Sequence, residues 1–420
     1  MKIRLVSLIA MLGIASLPIP LVAQDKAFDE IVELLPPVGP GSREPALVTL
    51  PDGRIAMSWT EPVGEDFAVR FVTGDASGWD TPQTVARGPD FFVNWADFPT
   101  LAALQDGTLA VNWLRINGDT DYDYDVNIAL SADGGQTWGE PMVPHRDGSQ
   151  RQHGFVTLLP VAPDQLRAIW LDGRSYTSSD TLAVDESPSD AMQMRTTTMT
   201  STGVMSEDSQ LDARTCTCCQ TSAVVAESGT QMVVYRDRTE AEIRDISILR
   251  QVDGIWSAPV SVSADGWEIS GCPVNGPAID SGGGRTAVAW FTAADNIPKV
   301  SVAFSDDDGV SFGPAIRLDK VAPTGQVDVI QRNDGSALVS WLEYTSIGEA
   351  LLLCRVTPEK GCEEAKVLNI VRSGRTMGFP RMTAGAKGLY IAWTESVAPS
   401  QTPENDYNVR MILIPMGDLP

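Results

Sequence analysis

The chain has 420 residues, with 31 Lys and Arg against 55 Asp and Glu and a formal net charge of −24 at pH 7. So large an acidic excess excludes the extended basic surface with which proteins neutralise nucleic-acid phosphates. Only two histidines are present, so a metal site made of three histidines is also excluded.

The first 23 residues have the pattern of a secretory signal peptide. Lys2 and Arg4 precede an apolar run over residues 5–23, which two prolines interrupt. A charged start followed by a short apolar centre is typical of such signals, and a membrane anchor, the alternative, would need a longer unbroken run. We therefore predict that residues 24–420 form an exported, periplasmic or secreted chain that does not insert into the membrane.

One pattern recurs seven times in the mature chain. A short apolar strand is followed by a turn and by a second apolar strand that ends in an aromatic residue, as in EPALVTLPDGRIAMSW and FPTLAALQDGTLAVNW. Successive aromatic residues are 51 to 65 positions apart, and so regular a period indicates one repeated supersecondary unit. The aromatic residues are Trp59, Trp113, Trp170, Tyr235, Trp290, Trp341 and Trp393.

A second hairpin follows most copies of the pattern, as in VNIALSADGGQTWGEPMVP. Two hairpins give four strands, which is the composition of a propeller blade. The seventh copy is one strand short after VRMILIPMG, and FDEIVELLPP before the first copy could supply that strand and close the ring. We predict an all-β protein, a single seven-bladed β-propeller domain of four-stranded antiparallel blades. A tandem of β-sandwiches, the alternative, does not explain the period.

Two of the second hairpins share a turn motif. Residues 131–138, SADGGQTW, match S-x-D-x-G-x-T-W, and residues 305–312, SDDDGVSF, are a close variant. The motif resembles the Asp-box of the sialidase superfamily, whose active members have six blades, so a six-bladed ring is the alternative architecture. In such a turn the carboxylate accepts backbone amides and glycine adopts left-handed geometry. The motif therefore indicates the fold and not catalysis.

The same resemblance implies three arginines that bind a sugar carboxylate. SREPAL around Arg43 is similar to the arginine-containing signature of the family, with Glu44 in place of isoleucine. Arg236 and Arg381 stand where the second and third arginines are expected. A planar, bidentate donor suits a carboxylate ligand. The resemblance thus implies an exo-glycosidase that acts on sialic-acid-like or other acidic glycans.

Propeller geometry predicts which other side chains share the face of those arginines. Residues before first strands and after second strands gather at one mouth, and several of them are carboxylates, the groups that glycoside hydrolysis requires. A hydrated acidic rim is the alternative interpretation. Gln220 stands where the family has a glutamate, and we expect His145 to lie away from the mouth. The candidate catalytic residues are Glu61, Asp97, Glu343 and Tyr344, and the further candidates for substrate binding are His153, Gln220 and Asn275.

Four cysteines fall on adjacent repeats. Cys216, Cys218 and Cys219 form C-x-C-C, and Cys272 precedes the first strand of the fifth repeat. Two disulfides are the favoured interpretation for an exported chain. A thiolate site for a soft metal such as copper(I), helped by His153, is the alternative. Cys354 and Cys362 flank a hairpin tip and predict a local disulfide.

These observations leave two functions open. The first is a sialidase-like glycoside hydrolase, for which we expect no cofactor. The second is a non-catalytic propeller that binds a glycan, a copper ion or a protein partner.

Overall fold

The computed structural model describes residues 30–176, 191–371, 378–397 and 406–415. The predicted signal peptide over residues 1–23 lies outside the described residues. Within the described residues, no helix is long and apolar enough to cross a bilayer.

Seven antiparallel sheets follow one another along the chain, and we name them blades 1 to 7 in the order of their first strands. The seven-bladed prediction is confirmed, and the six-bladed alternative is wrong. Blade 1 contains Arg43–Thr49, Ile55–Val63, Asp66–Asp75, Gly78–Trp79 and Gln83–Gly88. Blade 2 contains Leu101–Ala103, Leu109–Ile116 and Tyr124–Ser131, and a bridge between Ile128 and Met142 stands at its fourth-strand position.

The next three blades have the same order of strands. Blade 3 contains His153–Ala162, Gln165–Asp172, Met192–Thr200 and Ser209–Thr215. Blade 4 contains Ser222–Val225, Gln231–Arg236, Ile246–Val252, Ile255–Trp256 and Val260–Ser263. Blade 5 contains Ala278–Gly282, Arg285–Thr292, Lys299–Ser305 and Ile316–Arg317, with a single 3-10 turn at Ala294–Asn296.

The last two blades complete the ring. Blade 6 contains Pro323–Gln331, Ala337–Tyr344, Glu349–Thr357, Gly361–Cys362 and Lys366–Val371. Blade 7 contains Arg381–Gly385, Gly388–Ser396 and Tyr407–Ile414, and its fourth strand is Val32–Leu34 from the start of the chain. Val32 lies opposite Leu413 in this antiparallel pair. The predicted closure of the ring by the N-terminal segment is therefore confirmed.

The repeated aromatic residue occupies the second strand of each blade and packs against the blade before it. Trp59, for example, is fully buried and packs in one cluster with Tyr390 and Ala392 of blade 7. Trp170 of blade 3 packs likewise with Leu114 of blade 2. Since each blade depends on its neighbour to cover such a side chain, the hydrophobic core is shared around the ring. Truncating one indole to alanine costs about 3–5 kcal/mol.

The S-x-D turns hold the ends of third strands. Asp133 accepts the backbone N–H of Thr137 at 2.9 Å and its hydroxyl at 2.6 Å. Gly135 has a φ of +87°, and a Cβ there would overlap the ring of Phe71 in blade 1. Asp307 makes the corresponding hydrogen bonds with Ser311 in blade 5. These carboxylates shape turns.

Candidate functional site

The carboxylates that follow the repeated tryptophans accept hydrogen bonds from them. Glu61 accepts the indole N–H of Trp59 at 2.7 Å and the backbone N–H of Gly39 at 3.0 Å. Glu343 accepts the backbone N–H of Val321 at 2.6 Å and the indole of Trp341 at 3.3 Å. Both carboxylates are buried, and both accept hydrogen bonds from other parts of the folded chain. This geometry gives no support to their catalytic assignment, which stays a prediction.

Three other candidate side chains bind the backbone of the next blade. Asn275 accepts the N–H of Gln326 at 2.9 Å through its side-chain oxygen, and Gln220 accepts the N–H of Gly276 at 3.3 Å. Asp97 accepts the N–H of Phe155 at 2.6 Å. Phe155 and Gln326 have φ values of +52° and +48°, so the amides that donate to Asp97 and Asn275 belong to left-handed residues near the start of a first strand. The sequence analysis assigned catalysis to Asp97 and substrate binding to Gln220 and Asn275. Those roles stay predictions, and their backbone partners were not foreseen.

The structure does not bring the three predicted arginines into one cavity. Arg43 lines a cavity with Trp95, and its guanidinium carbon lies 4.6 Å from the ring centre of Tyr407. Arg381 lines a different cavity, where it lies 5.8 Å from the ring centre of Phe98.

Arg236 is buried away from both cavities. Its guanidinium donates to the carbonyls of Arg244 at 2.6 Å, Phe291 at 2.6 Å and Asn275 at 2.9 Å. The side chain also lies over the ring of Trp267, with 4.8 Å to the ring centre. These bonds make Arg236 a connector between blades 4 and 5.

A cleft lined by aromatic side chains opens at the mouth between blades 2 and 3. It spans about 770 Å³, open solvent at its entrance included, and is lined by the segment before blade 2, by the loop after its second strand, by the start of blade 3 and by the C-x-C-C region. Phe92 stacks on Tyr124 with 4.1 Å between ring centres, and Tyr122 is 42% exposed. The six aromatic residues of the lining are Phe92, Trp95, Tyr122, Tyr124, Phe155 and Tyr176.

Asp97 lies in the floor of this cleft and is the only carboxyl group among its described lining residues. Its second oxygen accepts the hydroxyl of Tyr124 at 2.8 Å, and Gln152 donates to that hydroxyl at 2.8 Å. A Cβ on Gly154 would overlap the Asp97 carboxylate, so this close approach requires glycine. Burial raises the pKa of Asp97 from 3.8 to about 7, against the opposing hydrogen bonds from Phe155 and Tyr124.

The cysteine cluster forms one wall of the cleft. Cys218 and Cys272 are joined by a disulfide and line the cleft, while Cys216 and Cys219 are buried thiols whose sulfurs are 2.7 Å apart. Burial raises the pKa of the Cys216 thiol, but the Cys219 hydrogen bond and the Arg244 guanidinium outweigh it, so the pKa is lowered overall. One of the two predicted disulfides of the cluster is therefore present. A copper(I) site would rest on Cys216 and Cys219 alone and stays a prediction.

The predicted hairpin disulfide is also present, between Cys354 and Cys362. Tyr344 lies 46% exposed beside Glu349 in a separate cavity on blade 6. The structure thus gives Tyr344 a carboxylate neighbour but places it outside the aromatic cleft.

The two histidines stack on each other, so His145 lies beside His153, although we expected His153 at the mouth and His145 away from it. Their ring centres are 3.7 Å apart and their planes differ by 3°. The connection from blade 2 to blade 3 turns back at Gly148, which has a φ of +68°, and this turn returns His145 to the start of blade 3. The two histidines flank this glycine in the sequence, which was the only available signal.

Sequence reasoning also missed the aromatic lining. Trp95 contributes to the cleft and to the cavities of Arg43 and Tyr344, which makes it central to the mouth. It belongs to the segment FFVNW between blades 1 and 2, which lies outside the repeated pattern. The density of aromatic residues in FFVNW and in the loop DTDYDYD was the signal that could have identified this site.

No protein-family model and no curated protein matches this sequence. Solved structures with a similar fold include a protein of unknown function from Dyadobacter fermentans, with a TM-score of 0.50 and 14% identity over 92% of this chain and 98% of that chain. A lectin from Burkholderia pseudomallei gives a TM-score of 0.58 and 14% identity over 87% and 99%. The NanB sialidase from Streptococcus pneumoniae gives a TM-score of 0.44 and 12% identity, over 94% of this chain and 71% of that chain. At 14% identity, the first two of these structures show a similar fold alone.

Proposed function

We propose that this protein is an exported propeller that binds a glycan in the aromatic cleft between blades 2 and 3. The observation that carries the proposal is the lining of that cleft. Six aromatic side chains surround about 770 Å³ and are interspersed with a few polar groups, among them Asn94, Gln152 and Thr217. Ligand sites combine apolar walls with a small number of placed polar groups in this way. The flat apolar faces of sugar rings stack on such aromatic side chains, and the ring hydroxyls need polar partners.

The electrostatics of the cleft favour a neutral ligand. The chain as a whole carries a net charge of −24, which repels anions at long range. Burial raises the pKa of Asp97 to about 7, so near neutral pH its carboxyl group is partly protonated and offers a proton donor. The three arginines predicted to bind an acidic sugar are absent from the described lining. We therefore infer that neutral glycans bind here in preference to sialylated ones.

Hydrolysis is a second candidate function, and the raised pKa of Asp97 is the observation that favours it. A carboxylic acid that stays protonated near pH 7 can act as the general acid in glycoside cleavage. That reaction also needs a second carboxylate or another nucleophile within about 5–10 Å of the first. The described lining offers no second carboxyl group, so binding without hydrolysis is the function that the geometry supports better.

A glycan array probed with the mature chain tests the proposal, followed by calorimetry on the glycans that bind. Tyr122→Ala should weaken binding by about 5- to 150-fold, since stacking of one ring contributes roughly 1–3 kcal/mol. Ile255→Ala is the matched control, because Ile255 is 75% exposed on blade 4 and lies outside the cleft lining. Absence of binding to every neutral glycan, or equal losses in both variants, would overturn the proposal.

The hydrolytic alternative is tested on the same protein with a panel of fluorogenic glycosides. Turnover that disappears in Asp97→Asn would establish an enzyme and assign Asp97 as its acid. Turnover that survives in Asp97→Asn but disappears in Tyr344→Phe would instead support the sialidase-like nucleophile. Binding without turnover in the wild-type chain is the expected result.

A further inference from the structure

Both histidines of the chain are buried in one cluster with carboxylates that no part of the proposed glycan site uses. His153 is fully buried at the start of blade 3, and His145 is 5% exposed. Three of their four ring nitrogens have no hydrogen-bond partner among the described residues, namely Nε2 of His145 and both nitrogens of His153. Each of these nitrogens has only a carboxylate oxygen 3.3–3.5 Å away, so the buried rings are available to a ligand that the carboxylates can share.

Two aspartates flank the stacked rings on opposite edges. Oδ1 of Asp125 lies 3.4 Å from Nε2 of His145 and 3.5 Å from Nδ1 of His153. On the other edge, Oδ1 of Asp147 lies 3.4 Å from Nδ1 of His145 and 3.3 Å from Nε2 of His153. Charge-assisted hydrogen bonds are shorter, about 2.7–2.9 Å. Ligands at about 2.0–2.1 Å from a tetrahedral ion are separated by about 3.3–3.4 Å, and the separations between the carboxylate oxygens and the ring nitrogens are close to that value.

The charges around the rings leave room for a divalent cation. Arg174 pairs with Asp172 at 2.7 Å and with Asp208 at 3.1 Å, and Arg195 also pairs with Asp208. Together with Asp125 and Asp147, the cluster holds four carboxylates and two guanidinium groups. Two negative charges therefore remain when the imidazoles are neutral, and one divalent ion balances them.

We propose that Asp125, His145 and His153 bind a divalent transition-metal ion of the zinc class. Two imidazole nitrogens and one carboxylate oxygen are a donor set that zinc takes in proteins. The Asp125 edge is favoured over the Asp147 edge because Arg174 lies 3.4 Å from the Asp147 carboxylate and would repel a cation there. The Asp125 side chain is 25% exposed, so this carboxylate is accessible from solvent.

Asp147 lies where it can accept hydrogen bonds from the two histidines without binding the metal ion itself. Metal-bound histidines commonly donate their other ring N–H to a carboxylate, which fixes the tautomer. Asp147 faces the far nitrogen of both rings, and Ser149 donates its hydroxyl to the other Asp147 oxygen. The rings lie parallel in this structure, so one ion can bind both only after they rotate until their lone pairs converge. The χ2 torsion of histidine is broad enough for this rotation.

The ion would link blade 2 to blade 3. Asp125 belongs to the third strand of blade 2, His145 and Asp147 to the connection, and His153 to the first strand of blade 3. Binding to the folded chain alone should therefore stabilise this junction, by about 2.7 kcal/mol at a free zinc concentration of 100 times Kd. The cleft residues Tyr124 and Gln152 are sequence neighbours of Asp125 and His153, but the metal site does not depend on the proposed glycan.

Zinc binding to the chelator-treated chain tests the inference, measured by calorimetry and by metal content after dialysis. The expected result is one zinc per chain and a raised Tm. His145→Gln and Asp125→Asn should each weaken binding by more than about 100-fold, and Asp147→Asn by roughly 10- to 100-fold. Asp121→Asn is the matched control, because Asp121 is exposed on the same loop.

The thiols of Cys216 and Cys219 could also bind zinc, so a variant without them is needed to test which site holds the ion. Cys216→Ser with Cys219→Ser should keep the zinc stoichiometry, and the cobalt(II) form of the wild-type chain should show no sulfur-to-metal charge-transfer band. Circular dichroism of each variant establishes that it folds. The inference is overturned if the wild-type chain holds no zinc at millimolar concentration. It is equally overturned if zinc is lost in the cysteine variant and kept in His145→Gln.

Discussion

Asp97 accepts the hydroxyl hydrogen of Tyr124 at 2.8 Å, which joins the segment before blade 2 to the third strand of that blade beneath the aromatic cleft. The same carboxyl group accepts the backbone N–H of Phe155 in blade 3. One buried group thus connects the cleft floor to the junction of two blades. Ligand binding and the stability of this junction should therefore respond together to the protonation of Asp97.

The stability of the protein should carry a pH dependence from Asp97. Burial raises its folded-state pKa to about 7 from 3.8, so the folded chain binds more protons than the unfolded chain between these values. The stabilisation of the folded state by protonated Asp97 is fully present below about pH 4 and is lost as the pH rises to about 7. Urea unfolding at pH 5 and pH 8 should show the wild-type chain losing stability relative to Asp97→Asn, by a few kcal/mol at most.

Tyr124→Phe is the sharper variant for this effect. The Tyr124 hydroxyl stabilises the charged form of Asp97, so its removal should move the titration of Asp97 above the wild-type value. The carboxyl chemical shift followed by NMR reports that titration directly. An Asp97 that titrates near pH 4 in both proteins would contradict the assignment.

The carboxylates behind the repeated tryptophans should affect stability. Glu61→Ala removes the acceptor of the buried Trp59 indole and of the Gly39 amide, so we expect a loss of about 1–3 kcal/mol in the free energy of unfolding. Glu65→Ala, at an exposed position on the following turn, should change it by less than about 0.5 kcal/mol. Denaturant titration measures both. Unchanged stability of Glu61→Ala would contradict this structural role of Glu61.

The number of blades and the closure of the ring could be predicted because both depend on periodicity. A tryptophan that recurs at a near-constant interval fixes one blade per interval, and the missing strand of the seventh unit predicts that Val32–Leu34 pairs with the last strand. The hydrogen-bond partners of Glu61 and Glu343 could also be predicted from the sequence. Residues two apart in a strand share a face, so each carboxylate stands beside the indole that precedes it.

Periodicity could not locate the cleft or the histidine cluster because both are built from segments outside the repeat, and only the aromatic content of FFVNW and DTDYDYD indicated the cleft. Trp95 lies in a connection that no other blade copies, and His145 reaches His153 through a turn that depends on the φ of Gly148. Position along a repeat gives the face on which a residue lies but not the direction of its side chain. Arg236 shows the same limit, since it was placed near the mouth but donates inward to three carbonyls.

Arg236 and Arg381 should respond differently to the loss of charge. Arg236→Met leaves three buried carbonyls without their donor, so we expect a loss of at least about 3 kcal/mol in the free energy of unfolding. Arg381→Met should cost less than Arg236→Met, because the Arg381 side chain is 35% exposed and its buried partner Asp328 keeps the backbone N–H donors of Val329 and Met382. Thermal unfolding of both variants decides this. Equal losses would show that Arg381 is held as firmly as Arg236.

Removing either disulfide should lower the stability of the protein, but removing only one of them should also weaken ligand binding. The Cys218–Cys272 bond spans 54 residues and the Cys354–Cys362 bond spans 8, so chain entropy assigns them about 4 and about 2.5 kcal/mol of stabilisation. Replacing each pair by serine should reproduce this order in denaturant titrations. Only loss of the Cys218–Cys272 bond should also weaken glycan binding, because that bond lines the aromatic cleft while the other lies at a hairpin tip of blade 6. Equal binding losses in the two variants would mean that the cleft is not the ligand site.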